Sequence, residues 1–78
     1  MMEVIFENSV VKISTTGRDT DFIAVVENKT DSPIRLKFAL VTDLAVPAND
    51  WVGILADSEG ELAVELVRNK RFAIEETV

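Results

Sequence analysis

The sequence predicts an all-β fold, a small two-layer β-sandwich of six or seven mostly antiparallel strands. Apolar and polar residues alternate in several short segments, as they do when one face of a strand is buried. Turn-forming residues recur at intervals of roughly ten residues, a spacing typical of sandwiches and small barrels. The chain has 78 residues, and we expect one domain spanning 1–78. An SH3-like barrel is the alternative fold.

The first half of the chain contains three short β-rich segments. Glu3–Glu7 and Val10–Ser14 form either two strands or one bent or bulged strand. Phe22–Val26 is apolar on both faces, so both of its faces need cover. A second packed layer would supply part of that cover.

The middle of the chain has the clearest alternation. Within Ile34–Val41, four apolar residues face one side of a predicted strand, while Arg35 and Lys37 face the other. These two basic residues could face Glu61 and Glu65 in a neighbouring strand. The segment that follows, residues 42–50, contains a proline and is predicted to be irregular.

The last third of the chain predicts a β-meander of three strands. The strands are Trp51–Ala56, Glu61–Arg68 and Arg71–Glu75. A helix between residues 56 and 67 is the alternative, because charges and leucines are frequent there. We favour the strand, because the apolar residues Leu62, Val64 and Leu66 keep a period of two and because Gly60 disfavours a helix.

Small size and composition indicate self-association. A domain of this length buries only about 60% of the surface of its unfolded chain, so it gains from disulfides, a metal or oligomerisation. The sequence has no cysteine and no histidine, which excludes disulfides and makes a zinc site improbable. We therefore expect a protein-interaction or assembly module that pairs with itself as a homo-oligomer.

Charge and hydropathy restrict the partners and the location. The net charge is −6, which repels phosphate backbones and anionic lipid headgroups. We therefore expect a protein partner and neither a nucleic acid nor a membrane. The chain has no long apolar run and does not begin like a signal peptide, so we expect a soluble cytoplasmic protein.

The residue types present do not favour catalysis. Histidine, cysteine and tyrosine are all absent, so no side chain titrates near neutral pH without help from its surroundings. The three glycines are too far apart to form a phosphate-binding loop. We expect no enzyme activity and no cofactor.

Trp51 is the main candidate for an interaction residue. As the only tryptophan, it is either a binding hot spot or a core anchor at the start of a strand. Under the binding interpretation, Trp51, Val52 and Ile54 form an apolar contact surface.

Acidic residues give two alternative functions. Glu61, Glu65 and Glu75 would alternate outward in the predicted meander, and such an acidic face could imitate a phosphate backbone and inhibit a nucleic-acid-binding protein. A weak cation-binding domain is the other alternative. It would need acidic residues at strand ends to collect at one end of the sandwich, and these residues are Asp19, Asp21, Asp43 and Asp50.

Two stretches resemble the SKICH domain, an immunoglobulin-like sandwich. Residues 4–10, Val-Ile-Phe-Glu-Asn-Ser-Val, are similar to the opening strand of that family, and residues 50–55, Asp-Trp-Val-Gly-Ile-Leu, are similar to its DWIGIF strand. Together they cover thirteen of the 78 residues. The gap between them is longer than in the family, and Ala56-Asp57-Ser58 replaces the usual valine-glycine-tryptophan. The resemblance implies a sandwich fold and a protein-interaction role.

Overall fold

The computed structural model describes residues 2–16 and 21–76. These residues form seven strands and one helix. In chain order the elements are β1 Glu3–Glu7, β2 Val11–Thr15, β3 Phe22–Asn28, β4 Ile34–Phe38, β5 Leu44–Val46, β6 Trp51–Leu55, α1 Ser58–Arg68 and β7 Phe72–Glu76.

The strands form two separate antiparallel sheets. The first sheet has four strands in the order β1-β2-β3-β6, and the second has three in the order β5-β4-β7. Within each sheet, all neighbouring strands pair antiparallel. The predicted all-β sandwich is confirmed, and the barrel alternative is wrong because the sheets do not close on each other.

The core lies between the two sheets and follows the pleat of each strand. On β4, Ile34, Leu36 and Phe38 are buried, while Arg35 and Lys37 are exposed. This is the alternation that the sequence predicts for a strand with one covered face. The strand ends at Phe38 and not at Val41, and Leu40, predicted on the covered side, is exposed. The fully or nearly fully buried apolar side chains are Val11, Ile13, Ala24, Val26, Ile34, Leu36, Phe38, Val46, Ile54, Ala63, Leu66 and Val67.

The first two β-rich segments form a hairpin and not one bent strand. The side-chain oxygen of Asn8 accepts hydrogen bonds from the backbone N–H groups of Val10 and Val11, at 2.8 and 2.9 Å. Such local bonds from asparagine stabilise a tight turn. A shift in register between Val4 and Phe6 adds a bulge to β1.

The predicted strand Glu61–Arg68 is wrong, because this segment lies within α1. The carboxylate of Asp57 caps the helix by accepting a hydrogen bond from the N–H of Gly60 at 2.7 Å. The apolar residues buried by the helix are Ala63, Leu66 and Val67, which have the spacing of a helical face. The period of two among the leucines and valine was therefore coincidental.

Residues 69–70, which separate the predicted strands Glu61–Arg68 and Arg71–Glu75, are the end of this helix. The N–H of Lys70 donates to the carbonyl of Val67 at 3.0 Å, and the N–H of Arg71 donates to the carbonyl of Leu66 at 2.8 Å. These two bonds define a Schellman motif, which needs a left-handed residue after the helix. Lys70 fills that position with φ of 57°.

A buried asparagine joins the two sheets at one end of the sandwich. Asn28 ends β3 and is 2% exposed. Its amide nitrogen donates to the carbonyls of Ser32, Val46 and Pro47, at 2.8, 3.3 and 3.1 Å. Its amide oxygen accepts from the N–H of Thr30 at 2.9 Å. These bonds tie the end of β3 to β5, the short strand that the sequence did not reveal.

Candidate functional site

Strand β6 separates the three predicted contact residues. Successive side chains of a strand point to opposite faces, so Trp51 lies on the outer face of the four-stranded sheet. Val52 is half-buried on the inner face, and Ile54 is only 5% exposed and belongs to the core. The predicted contact surface is therefore wrong for Ile54. Trp51 is 53% exposed, so the alternative of a core anchor is also wrong.

Phe22 joins Trp51 on the outer face because of a bulge in β3. Phe22 pairs with Leu55 while Ala24 pairs with Ile54, so β3 has one extra residue between these pairs. A bulge of this kind re-aims the side chains beyond it. The rings of Phe22 and Trp51 meet edge to face, with centroids 6.3 Å apart and an interplanar angle of 86°.

Gly53 makes this aromatic contact possible. It lies between Trp51 and Leu55 on the outer face, and the ring of Phe22 lies directly over it. A Cβ atom at residue 53 would overlap that ring. A glycine inside a strand often marks such a close approach.

Leu55 completes a cluster that we call the outer patch, which consists of Phe22, Trp51 and Leu55. Leu55 is 54% exposed and has the same strand parity as Trp51. Val4 is another exposed apolar residue of the same face, but it lies on β1, at the opposite edge of the sheet. The outer patch is therefore concentrated at the β6 edge.

The backbone groups of β6 are divided between β3 and an open edge. The N–H of Asn28 donates to the carbonyl of Asp50, and the N–H of Ala56 donates to the carbonyl of Asp21, both at 2.8 Å. Hydrogen-bonding groups alternate along an antiparallel strand, so the odd-numbered residues of β6 point theirs away from β3. Among the described residues, no strand pairs with that side.

The helix covers one end of the open edge. The carbonyl of Leu55 belongs to the same trans peptide unit as the N–H of Ala56, so the two point in opposite directions. That carbonyl therefore leaves the sheet on the open side, where it contacts Gly60 in the first turn of α1. At the other end, the N–H of Trp51 donates to the carboxylate of Asp50 at 2.8 Å. The carbonyl of Trp51 and both backbone groups of Gly53 lie between these two ends.

An apolar groove of about 170 Å³ lies beside the covered end. The first turn of α1 forms one side, and the segment between β4 and β5 forms another. Its main apolar lining consists of Phe38, Val41, Leu44, Ile54, Leu55 and Ala63.

The other three sheet edges carry features that discourage pairing with another chain. Charges, bulges, prolines and short strands all have this effect. The edge strand β1 has Glu3, Glu7 and a bulge, and β7 has Glu75 and Glu76. Strand β5 has three residues and is followed by a proline. Strand β6 has neither a charge nor a proline.

The predicted acidic face is divided between two elements. Glu61 and Glu65 lie on α1, which packs against the four-stranded sheet. Glu75 lies on β7 of the three-stranded sheet, where its carboxylate is 3.8 Å from the ammonium group of Lys37. Arg35 pairs with Glu75 in the register, so the expected pairing of Arg35 and Lys37 with Glu61 and Glu65 is wrong. The strand alternation behind the inhibitor hypothesis is absent.

The aspartates expected at one end of the sandwich do not all meet there. Asp21 and Asp50 lie at opposite ends of β6, which separates them by about 20 Å along the strand. Asp19 lies outside the described residues. Within residues 2–16 and 21–76, no group of three or more acidic side chains could hold a metal ion.

Sequence reasoning identified Trp51 but missed Phe22, Gly53 and Leu55. Two of these residues, Leu55 and Gly53, could have been identified from the sequence. Leu55 has the parity of Trp51, and an interior glycine indicates a close approach. Phe22 could not have been identified in this way, because its place on the outer face depends on the bulge in β3.

In the part of the chain that the structure describes, the one helix, α1, lacks the length and apolar character needed to span a membrane. Comparisons with protein-family models, with curated proteins and with solved structures found no match to this chain. The resemblance to the SKICH domain therefore stays a prediction.

Proposed function

We propose that this chain is a non-catalytic protein-interaction module that assembles with a second copy of itself through the outer patch. The observation that carries the proposal is the exposure of Trp51 and Leu55, each by more than half, beside Phe22 at one edge of a sheet. Clustered exposed apolar side chains mark interaction sites, and tryptophan is enriched among residues that dominate binding energy.

Composition and size support the same proposal. A chain of 78 residues without cysteine or histidine cannot use disulfides and has few ways to hold zinc, so burying the outer patch in an assembly would add to the stability that the core supplies. The absence of histidine, cysteine and tyrosine also supports a non-catalytic role.

The size of the outer patch indicates a weak contact. A fully buried tryptophan covers about 150–250 Å², and Trp51 has about half of its surface left to bury. A standard stable interface needs about 800 Å² on each partner, which these three side chains do not reach alone. We therefore expect a dimer that dissociates at micromolar concentrations.

Sedimentation equilibrium across a concentration series tests the proposal. We expect the apparent mass to rise from monomer to dimer. Trp51→Ala should raise the dissociation constant by about 30-fold, the size of a binding hot spot. Its circular dichroism spectrum should be unchanged, because the side chain is outside the core.

A matched pair of lysine variants provides the control. Leu55 and Val4 have similar exposures, 54% and 48%, on the same sheet face but at opposite edges. Leu55→Lys should weaken the dimer, and Val4→Lys should leave it nearly unchanged. A wild-type chain that stays monomeric at millimolar concentration, or equal effects of the two lysines, would contradict the proposal.

A further inference from the structure

We infer that two copies associate by antiparallel pairing of their β6 edges about a twofold axis at Val52. The inference rests on the proposed function, because it specifies how the assembly forms. The open edge is thus occupied by β6 of a second copy.

Strand β6 is the least protected of the described sheet edges, because its open half has no charge, bulge or proline and α1 covers only the end at Leu55. The edges at β1 and β7 carry glutamates, and β5 is short and ends near a proline. An unprotected edge is a template for strand addition, and its backbone groups supply the hydrogen bonds. Strand β6 presents this edge beside the outer patch, so one contact can bury both.

The covered end of β6 sets the register of the pairing. The first turn of α1 covers the carbonyl of Leu55, so an incoming strand cannot run along the whole of β6. Pairing is limited to the half that contains Trp51 and Gly53, whose open groups alternate correctly for an antiparallel ladder. A twofold axis at Val52 places Trp51 of each copy opposite Gly53 of the other.

This register satisfies the open backbone groups in pairs. The N–H of Gly53 donates to the carbonyl of Trp51 in the other copy, and the twofold axis repeats the bond. The N–H of Trp51 leaves the carboxylate of Asp50, its acceptor in the isolated chain, and donates to the carbonyl of Gly53. About four hydrogen bonds then join the copies.

The side chains are compatible with the same register. A twofold axis perpendicular to the sheet keeps the outer faces of both copies on one side, so the Phe22 and Trp51 rings of the two copies form a single row. Across the axis, Trp51 faces Gly53 of the other copy and the Phe22 ring that lies over it. Residues 51–53 carry no charge. The acidic residues nearest to the contact are Asp50 and Glu27, the partner of Trp51 in β3.

A cysteine variant tests the register directly. The chain has no cysteine, so a disulfide in a single-cysteine variant can form only between two copies. Val52 would form a non-hydrogen-bonded pair with itself, in which the Cα atoms are about 4.5 Å apart, within the range of a disulfide. Val52→Cys should therefore crosslink at least about tenfold faster than a cysteine that meets its copy only by collision.

Two exposed positions, Leu55 and Val4, supply the controls. Leu55→Cys and Val4→Cys place the thiol on the outer face, away from the twofold axis, and should crosslink slowly. On wild-type protein, amide hydrogen exchange of Gly53 should slow by about fivefold when the total chain concentration is about ten times the dissociation constant, because about one fifth of the chains are then still monomeric.

The outcomes separate the inference from the function on which it rests. Fast crosslinking of Val52→Cys with slowed exchange at Gly53 supports edge pairing. A wild-type dimer in which Val52→Cys is no faster than the controls overturns edge pairing and leaves self-assembly standing. Fastest crosslinking by Leu55→Cys also overturns it, because it indicates stacking of outer faces. A wild-type chain that is monomeric throughout overturns both.

Discussion

Gly60 lies directly against the carbonyl oxygen of Leu55, so closely that a Cβ atom on residue 60 would overlap that oxygen. The contact holds the first turn of α1 against the end of β6. The obstacle is backbone, which cannot rotate aside as a side chain can. Only glycine fits there, although glycine weakens a helix.

We expect Gly60→Ala to destabilise the fold. The helix would gain up to about 1 kcal/mol of propensity, but overpacking against a fixed carbonyl costs about 1–3 kcal/mol. Chemical denaturation should show a lower midpoint. Glu61→Ala, the neighbouring exposed position, is the control and should change the midpoint little. A Gly60→Ala variant as stable as the wild type would show that α1 can move away from β6.

The left-handed residue after α1 predicts a stabilising change. Lys70 has φ of 57°, a conformation that costs a residue with a Cβ about 1–2 kcal/mol and costs glycine almost nothing. Glycine also has more freedom in the unfolded chain, so we expect Lys70→Gly to gain about 0.5–1 kcal/mol. Thermal denaturation of the variant and the wild type measures this gain in stability. Lys70→Ala removes the same charge without relieving the backbone, and it should give no such gain.

Because the side-chain amide of Asn28 is buried, we expect the stability of the fold to depend on its N–H₂ donor group. Asn28→Asp replaces an N–H₂ group that donates to three carbonyls with an oxygen that faces the same carbonyls. A buried group left without partners costs about 1–3 kcal/mol, and more if charged. We expect a loss of at least about 3 kcal/mol at neutral pH.

The pH dependence of this variant gives an independent readout. The surrounding carbonyls disfavour an ionised carboxylate in the folded state, so its folded pKa would be raised above the unfolded value. The defect should therefore be smaller at acidic pH and grow as the pH rises through the folded pKa. Asn28→Ala, which cannot titrate, should show a defect that does not vary in this way.

The ion pair between Glu7 and Lys29 predicts a small acid-dependent effect. The ammonium of Lys29 lies 3.0 Å from the carboxylate of Glu7, and this hydrogen bond and charge hold the pKa of Glu7 below its ordinary value. A lowered folded pKa stabilises the protein above the unfolded pKa, and that stabilisation is lost as the pH falls through the folded pKa.

We therefore expect Glu7→Gln to lower the melting temperature slightly at pH 7 and not at strongly acidic pH. High salt should reduce the difference, because both side chains are on the surface. An NMR titration of Glu7 with a midpoint at or above the ordinary glutamate value would contradict the assignment.

Strands with one covered face were predictable from the sequence. The alternation in β4 reflects its burial directly, and the doubly apolar β3 does pack on its inner face. The helix was mispredicted because Leu62 and Val64 mimic a period of two, although the buried residues are Ala63, Leu66 and Val67. The local sequence pattern could not decide between a helix and a strand, because the deciding contact of Gly60 is with the carbonyl of Leu55 at the end of β6.

The candidate site was predictable only in part. Trp51 was identified by its chemistry, but grouping it with Ile54 ignored the alternation of a strand. The contribution of Phe22 depends on a bulge, and β5 depends on pairing with a strand several residues away and on the amide of Asn28. Both are set by tertiary contacts that a short segment does not encode.

The central strand of the smaller sheet receives its second neighbour from the far end of the described chain. Strand β4 pairs with β7, which follows it by more than thirty residues. On the ribosome, β4 therefore has one open edge until Phe72–Glu76 have emerged from the exit tunnel. Nascent chains that stall before that point would expose an unpaired strand edge and the apolar face of β4, the kind of surface that molecular chaperones bind.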